Sequence, residues 1–177
     1  MKPSLNITKL DSAKRQLESA ILLYFNNCDP VSIHTLSAAA YNILRDLNKK
    51  RGGELMLKDY WQFLDAEQAK DFHQQVNEAE NFFKHADKDP DESYTFNSES
   101  TEAMLAEASR KYIELTEEYP PYLHLFLIWF VVRHQKMFRE VPAIASVLES
   151  FKPNLIPDNR RQFFAELLPV ATRLLGA

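Results

Sequence analysis

Apolar residues recur three and four positions apart along most of this chain, the period of a helix face, and the intervals between stripes are polar or broken by proline. The first stripe is Ala13, Leu17, Ala20, Ile21 and Tyr24; it predicts a helix over 11–27 with Asp11 as its N-cap. A second seam, Ile33, Leu36, Ala40, Leu44 and Leu47, has sharper ends. Asp29 suits the N-cap, Pro30 the first helical position, and Cys28 can staple against Ile33. At the exit Lys49, Lys50 and Arg51 complement the helix dipole, and Gly52 can take the left-handed cap. Ala38 to Ala40 permit close approach of a neighbouring helix.

Residues 54–64 hold Tyr60, Trp61 and Phe63 and predict a short helix or ordered connection packed on the bundle. Asp65 then opens a third helix, with Gln68 placed for a capping box and Phe72, Val76, Ala79 and Phe83 on its apolar face; it should end near Ala86. The acidic stretch 87–98, with Pro90, predicts an exposed loop. Leu105, Ala108, Tyr112 and Leu115 mark a fourth helix running to about Glu118, where Pro120 and Pro121 end it and open a fifth. Apolar on nearly all sides from Tyr122 to Val132, the fifth helix should be the buried centre of the molecule, near 121–138. A shorter helix is expected from Pro142 to near Phe151, and a last one capped by Asp158, with Phe163, Phe164, Leu167 and Leu168 facing inward before Pro169 bends or interrupts it. The pattern is that of an all-α, single-domain bundle of six or seven helices over 1–177, with 1–10 a flexible N-terminal segment.

Composition narrows this further. With 45% hydrophobic and 12% aromatic residues in 177, the chain can bury one substantial core, and three glycines against nine prolines disfavour the turn-rich sandwiches and barrels. The net charge of −4, from 25 acidic and 21 basic residues, carries no general electrostatic footprint for nucleic acid. A single cysteine, Cys28, excludes an intrachain disulfide and a cysteine-cluster zinc site and fits a reducing cytoplasm. The start of the chain lacks the apolar core of a signal peptide, and the apolar run 122–132 falls short of the roughly 20 residues needed to span a bilayer.

Candidate chemistry gathers where helix ends meet. If the second and third helices pack antiparallel, His34 near the start of one lies level with His85 at the end of the other. Up-and-down topology brings Arg133 and His134 to the same pole. Asn77, Asn81 and His85 share one face of the third helix, and His73, Asn77, Glu80 and Lys84 an adjacent one. In a functional reading His85 is a general acid, base or ligand, Asn81 orients it, Lys84 binds an anion, and His34 and Arg133 complete a ligand site. In the competing reading Lys84 and His85 complement the helix dipole, and His34 is hydrogen-bonded at the core edge. His34, His85 and Asp87 offer the ligand chemistry of a transition metal without a supporting His-x-x-x-His pair. Asp87, Asp89 and Asp91 begin like a calcium loop, but Glu92 replaces its central glycine and Ser98 its closing glutamate. Tyr119, Tyr122, Trp129 and Phe130 read as core, as do Tyr60, Trp61 and Phe63, whose connection has an exposed partner surface as its alternative.

Two segments, Ser32-Ile33-His34-Thr35-Leu36 followed by alanines and 81–87 followed by Asp89-Pro90, together resemble a family of small uncharacterised bacterial proteins over most of 11–130. That resemblance singles out His34 and His85 without implying a reaction. A more distant resemblance is to HEPN domains, helical bundles that include metal-independent ribonucleases. Their motif places an arginine, often followed by a polar residue, four to six positions before a histidine. Asn81 and His85 match the polar residue and the histidine, whereas Glu80 stands in the arginine's place, so Arg45 or Arg133 would have to supply the cation. The reading that follows is a cytoplasmic helical binding or interaction protein with a polar pocket around His34 and His85. It needs no cofactor or membrane, and its partner is an unidentified small molecule or protein, a second copy included. The alternatives are an HEPN-like ribonuclease, for which alone RNA is the partner, and a metal-dependent hydrolase.

Overall fold

The computed structural model describes residues 4–87, 90–138 and 159–175. The helix expected between Pro142 and Phe151 and the cap expected at Asp158 lie outside them, as does Asp89. Seven α-helices and one 3₁₀ helix are found among the described residues, with no strand.

Helix α1 (Lys9–Phe25) starts half a turn before the expected Asp11 cap, because Thr8 is the N-cap and Asp11 answers it as a capping box. The Asp11 backbone N–H donates to Thr8 Oγ1 at 3.1 Å, and the Thr8 N–H donates to the Asp11 carboxylate at 3.0 Å. Its stripe is buried as the pattern predicts, with Phe25 added. Helix α2 (Pro30–Lys50) follows the sequence signals closely: Asp29 accepts from the Ser32 N–H at 2.7 Å, Pro30 opens the first turn, and Gly52 takes φ +70° just past the end. Cys28, expected to staple onto Ile33, is exposed.

The 3₁₀ helix (Leu57–Phe63) inverts the expected burial. Met56, Lys58 and Asp59 are buried, whereas Tyr60, Trp61 and Phe63 are exposed. Helix α3 (Ala66–Lys84) has Asp65 as N-cap, accepting from the Glu67 and Gln68 backbone, and Glu80 is its one buried residue. Phe72, Val76, Ala79 and Phe83 are half-buried, so α3 lies on the flank of the bundle. Helix α4 (Glu99–Thr116) stops where Glu117 turns left-handed at φ +58°.

Helix α5 (Pro121–Arg133) buries Leu123, Leu125, Phe126, Trp129 and Val132 at the centre, as its apolar run predicts. The buried helix does not extend to 138: His134 caps it, and the short α6 (Gln135–Phe138) that follows carries no buried residue. Tyr119, expected in the core, is 54% exposed. Helix α7 (Arg160–Leu175) runs through Pro169 rather than breaking there. Its Phe163 and Phe164 rings stack on Phe25 at 6.0 and 4.6 Å, tying α7 to α1. Helices α1, α2, α4 and α5 thus share the core, α7 closes one side on α5 and α1, and α3 with the 3₁₀ helix covers the other side of α2. Among the described residues no helix is long and apolar enough to cross a membrane.

Candidate functional site

Helix α2 buries a wider arc than its apolar seam, because His34, Ser37, Tyr41 and Asn48 point inward beside Ile33, Ala40 and Leu44. His34 and Tyr41, seven positions apart, lie two turns from one another on the same face. Both line a cavity of about 280 Å³ between α2, the 3₁₀ helix, α3, the segment 94–97 and α4. Its apolar walls come from Leu57, Val76, Ala79, Tyr94, Phe96 and Met104, and its polar groups from His34, Tyr41, Lys58, Gln75, Asn97 and Ser100. Such a mix, largely apolar with a few placed polar groups, is the usual make-up of a small-molecule site.

His34 is 3% exposed and held from several sides. Phe96 and Phe83 meet its ring edge-on, with centroids at 5.1 and 5.8 Å, and its Nδ1 lies 2.9 Å from Thr101 Oγ1 near the start of α4. Its Nε2 is buried with no hydrogen-bond partner among the described residues. Burial, and next the Lys58 ammonium, push the His34 pKa below the ordinary histidine value, so the ring is neutral at physiological pH.

Below the cavity runs an ionic network joining four elements. Lys58, its side chain 4% exposed, donates to Glu80 Oε2 and to Asn77 Oδ1, both at 2.9 Å. Glu80 also accepts from Lys84 at 2.5 Å and from the Asn42 amide at 2.7 Å. Burial pushes the Glu80 carboxyl up, but Lys84 and Lys58 together outweigh it and hold the group below its ordinary value. The Tyr41 hydroxyl accepts the Lys58 backbone N–H and donates to Glu107, which in turn accepts the Leu57 N–H. Arg45 closes the set by pairing with Asp59.

A second polar cluster occupies the pole where α1 and α5 end and α4 and α7 begin. Glu102 accepts from the Tyr24 hydroxyl at 2.7 Å and lies 3.4 Å from Arg133 Nε and 3.1 Å from His134 Nε2. Trp129 Nε1 donates to the Tyr24 oxygen at 3.1 Å, and the Arg160 guanidinium stacks over the Tyr24 ring at 4.2 Å. Burial and the Glu102 carboxylate push the Tyr24 phenol up to about 12.

The residues expected to converge therefore divide. The start of α2 does meet the end of α3, but through Phe83 against His34; His85 is the exposed C-cap of α3, donating its backbone N–H to the Asn81 carbonyl. Asn81 is exposed, Lys84 is turned to Glu80, and neither these two nor His85 line the cavity. Arg133 and His134 reach the expected pole but gather on Glu102 rather than on His34. No group of three or more His, Cys, Asp or Glu is placed to hold a metal ion among the described residues, so His34, His85 and Asp87 do not form the metal site considered for them. The reason is burial: His34 is enclosed beneath aromatic rings, whereas His85 and Asp87 are exposed. Arg45, the other cation considered beside His85, is committed to Asp59. Sequence reasoning passed over Lys58, Thr101, Tyr94, Phe96 and Glu102; the one available signal was the shared face of Asn77, Glu80 and Lys84, which marked Glu80 as part of a cluster. Comparison of the chain with family models, with curated proteins and with solved structures gives no significant match.

Proposed function

We propose that this chain is a helical binding protein whose ligand is a small, largely apolar molecule held in the cavity between α2, the 3₁₀ helix, α3 and α4. The single observation that supports this reading is the cavity of about 280 Å³ itself, whose largely apolar and aromatic walls carry a few polar groups. The site is thus His34 with Tyr41, Lys58, Tyr94 and Phe96, not the His34 and His85 pair. A lone exposed Cys28 suits a reducing cytoplasm, and the reading extends to that location.

No observation among the described residues favours the ribonuclease or metal-hydrolase alternatives. His85 has no arginine beside it in the ion pairs described, and the basic residues considered as substitutes are paired with carboxylates. Screening small aromatic fragments by methyl NMR tests the proposal. Binding should move the methyl signals of Leu57, Val76 and Met104 together, and His34→Leu should alter which fragments bind. A screen whose perturbations fall only elsewhere sinks it.

A further inference from the structure

The pole where α1 and α5 end and α4 and α7 begin holds a second cavity, of about 220 Å³, whose walls are mostly polar: Tyr24, Asn27, Glu102, Arg133, Asn159 and Arg160 line it. Two of those residues carry guanidinium groups, and they are held differently. Arg160 stacks over the Tyr24 ring at 4.2 Å and donates from Nε to Asn27 Oδ1, which fixes the plane of its guanidinium. It forms no ion pair among the described residues. Arg133 reaches Glu102 Oε2 through Nε at 3.4 Å, a long contact for a charge-assisted bond, and its side chain stays 45% exposed. Glu102 commits one oxygen to the Tyr24 hydroxyl and divides the other between Arg133 and His134. A guanidinium has five N–H donors, so both arginines keep donors beyond these contacts, on side chains that are partly open to solvent. Two cations against one carboxylate leave one positive charge over. Helix dipoles do not change that balance, since two helix ends and two helix starts meet here.

We infer that this cleft binds the carboxylate of a small organic acid, received between Arg133 and Arg160. The site stands apart from the cavity between α2 and α3, with which it shares no lining residue. The planar fork of a guanidinium matches the two oxygens of a carboxylate, and a single negative charge cancels the surplus. A phosphate carries nearly two charges near neutrality, so it would overfill the site and meet Glu102 as a like charge. The competing reading is that Arg160 only ties α7 to α1 through Tyr24 and Arg133 only complements the end of α5.

The arginine side-chain 1Hε–15Nε signals of the full chain, assigned through bonds from the backbone, report on both residues directly. They are followed at about pH 8, where an ordinary histidine is neutral, as butyrate, butyramide or inorganic phosphate is added at constant ionic strength. Butyrate should move the Arg133 and Arg160 signals along one saturable curve. It should bind about tenfold more tightly than butyramide, which has its shape without the charge. The methyl signals of Leu57, Val76 and Met104 should stay still; movement there with unmoved arginines would put the acid in the other cavity and overturn the inference. Shifts that never saturate, or butyramide binding as tightly, overturn the site itself. Phosphate binding as tightly as butyrate overturns the choice of a carboxylate. Arg133→Gln and Arg160→Gln should each weaken butyrate about tenfold, and Arg160→Lys, which keeps the charge and loses the fork, should restore only part of it. Unchanged affinity in either glutamine variant leaves that arginine a tie between helices and defeats the two-arginine site. Because the titration is read on the unmodified chain, a variant that fails to fold does not rescue the inference from a negative result.

Discussion

Glu80 accepts from Lys58, Lys84 and the Asn42 amide at once, and with those donors its carboxylate stays ionised although the residue is 7% exposed. Removing it leaves Lys58 buried and unmatched, so Glu80→Ala should cost about 3–5 kcal/mol in urea denaturation. The double change Lys58→Met with Glu80→Leu should cost less than Glu80→Ala alone, because it removes both charges together; an equal or greater loss would contradict the account. The two lowered pKa values separate by pH. His34 titrates below its ordinary 6.5 when folded, so the unfolded chain binds the proton first, and the stability it contributes is present above about pH 6.5 and lost as pH falls below it. Half-buried His124, lowered by burial, adds to the same window. Glu80, lowered from 4.5, contributes above that value and loses its contribution as pH falls through its folded pKa. Stability should therefore fall in two steps on acidification, and His34→Gln should flatten the upper one. His34 was conspicuous in the sequence as a histidine one turn inside a well-capped helix. Its burial was not, since three aromatic and hydroxyl neighbours, Phe83, Phe96 and Thr101, arrive from other segments.

At the scale of elements, helix boundaries were the most legible feature, because caps are local chemistry. Asp29, Pro30, Gly52 and Asp65 act as their residue types predict. Thr8 was missed in favour of Asp11 although both belong to one capping box. Gly53 carries a role that no local rule supplies: a Cβ there would overlap Asn48 Oδ1, and the Asn48 amide is buried and donates to the Glu54 carbonyl at 2.6 Å. Gly52→Ala, at a left-handed position, should cost about 1–2 kcal/mol. Gly53→Ala should cost about 2–3 kcal/mol, because Asn48 must abandon a buried hydrogen bond, and the pair of denaturation curves checks the order. The 3₁₀ helix inverted its expected burial for a related reason. The face of α2 beneath it is polar, presenting Tyr41, Asn42 and Arg45, so Lys58 and Asp59 turn inward and the rings of Tyr60 and Phe63 turn out.

In the molecule as a whole, apolar packing joins α1, α2, α4, α5 and α7, whereas α3 is attached through half-buried side chains and the Glu80 network. Native-state hydrogen exchange should reflect this: amides of α3 and the 3₁₀ helix should open at lower free energy than those of α2 and α4, and equal protection would refute the division. The same division puts the cavity at the border between the firm core and the lightly held flank. The sequence by itself determined the all-helical class, the helix ends and the burial of α5, because periodicity, caps and an all-round apolar run act within one segment. An up-and-down order of helices also puts α3's end and α5's end at the pole where α2 and α4 begin, and Phe83 against His34 and His134 against Glu102 lie there. Only the tertiary structure decided which side chains share a site. Lys58 meets Glu80, Tyr24 meets Glu102 and His34 meets Thr101 across separations of 22, 78 and 67 residues, and a hydrogen bond depends on distance in space, which no local pattern encodes.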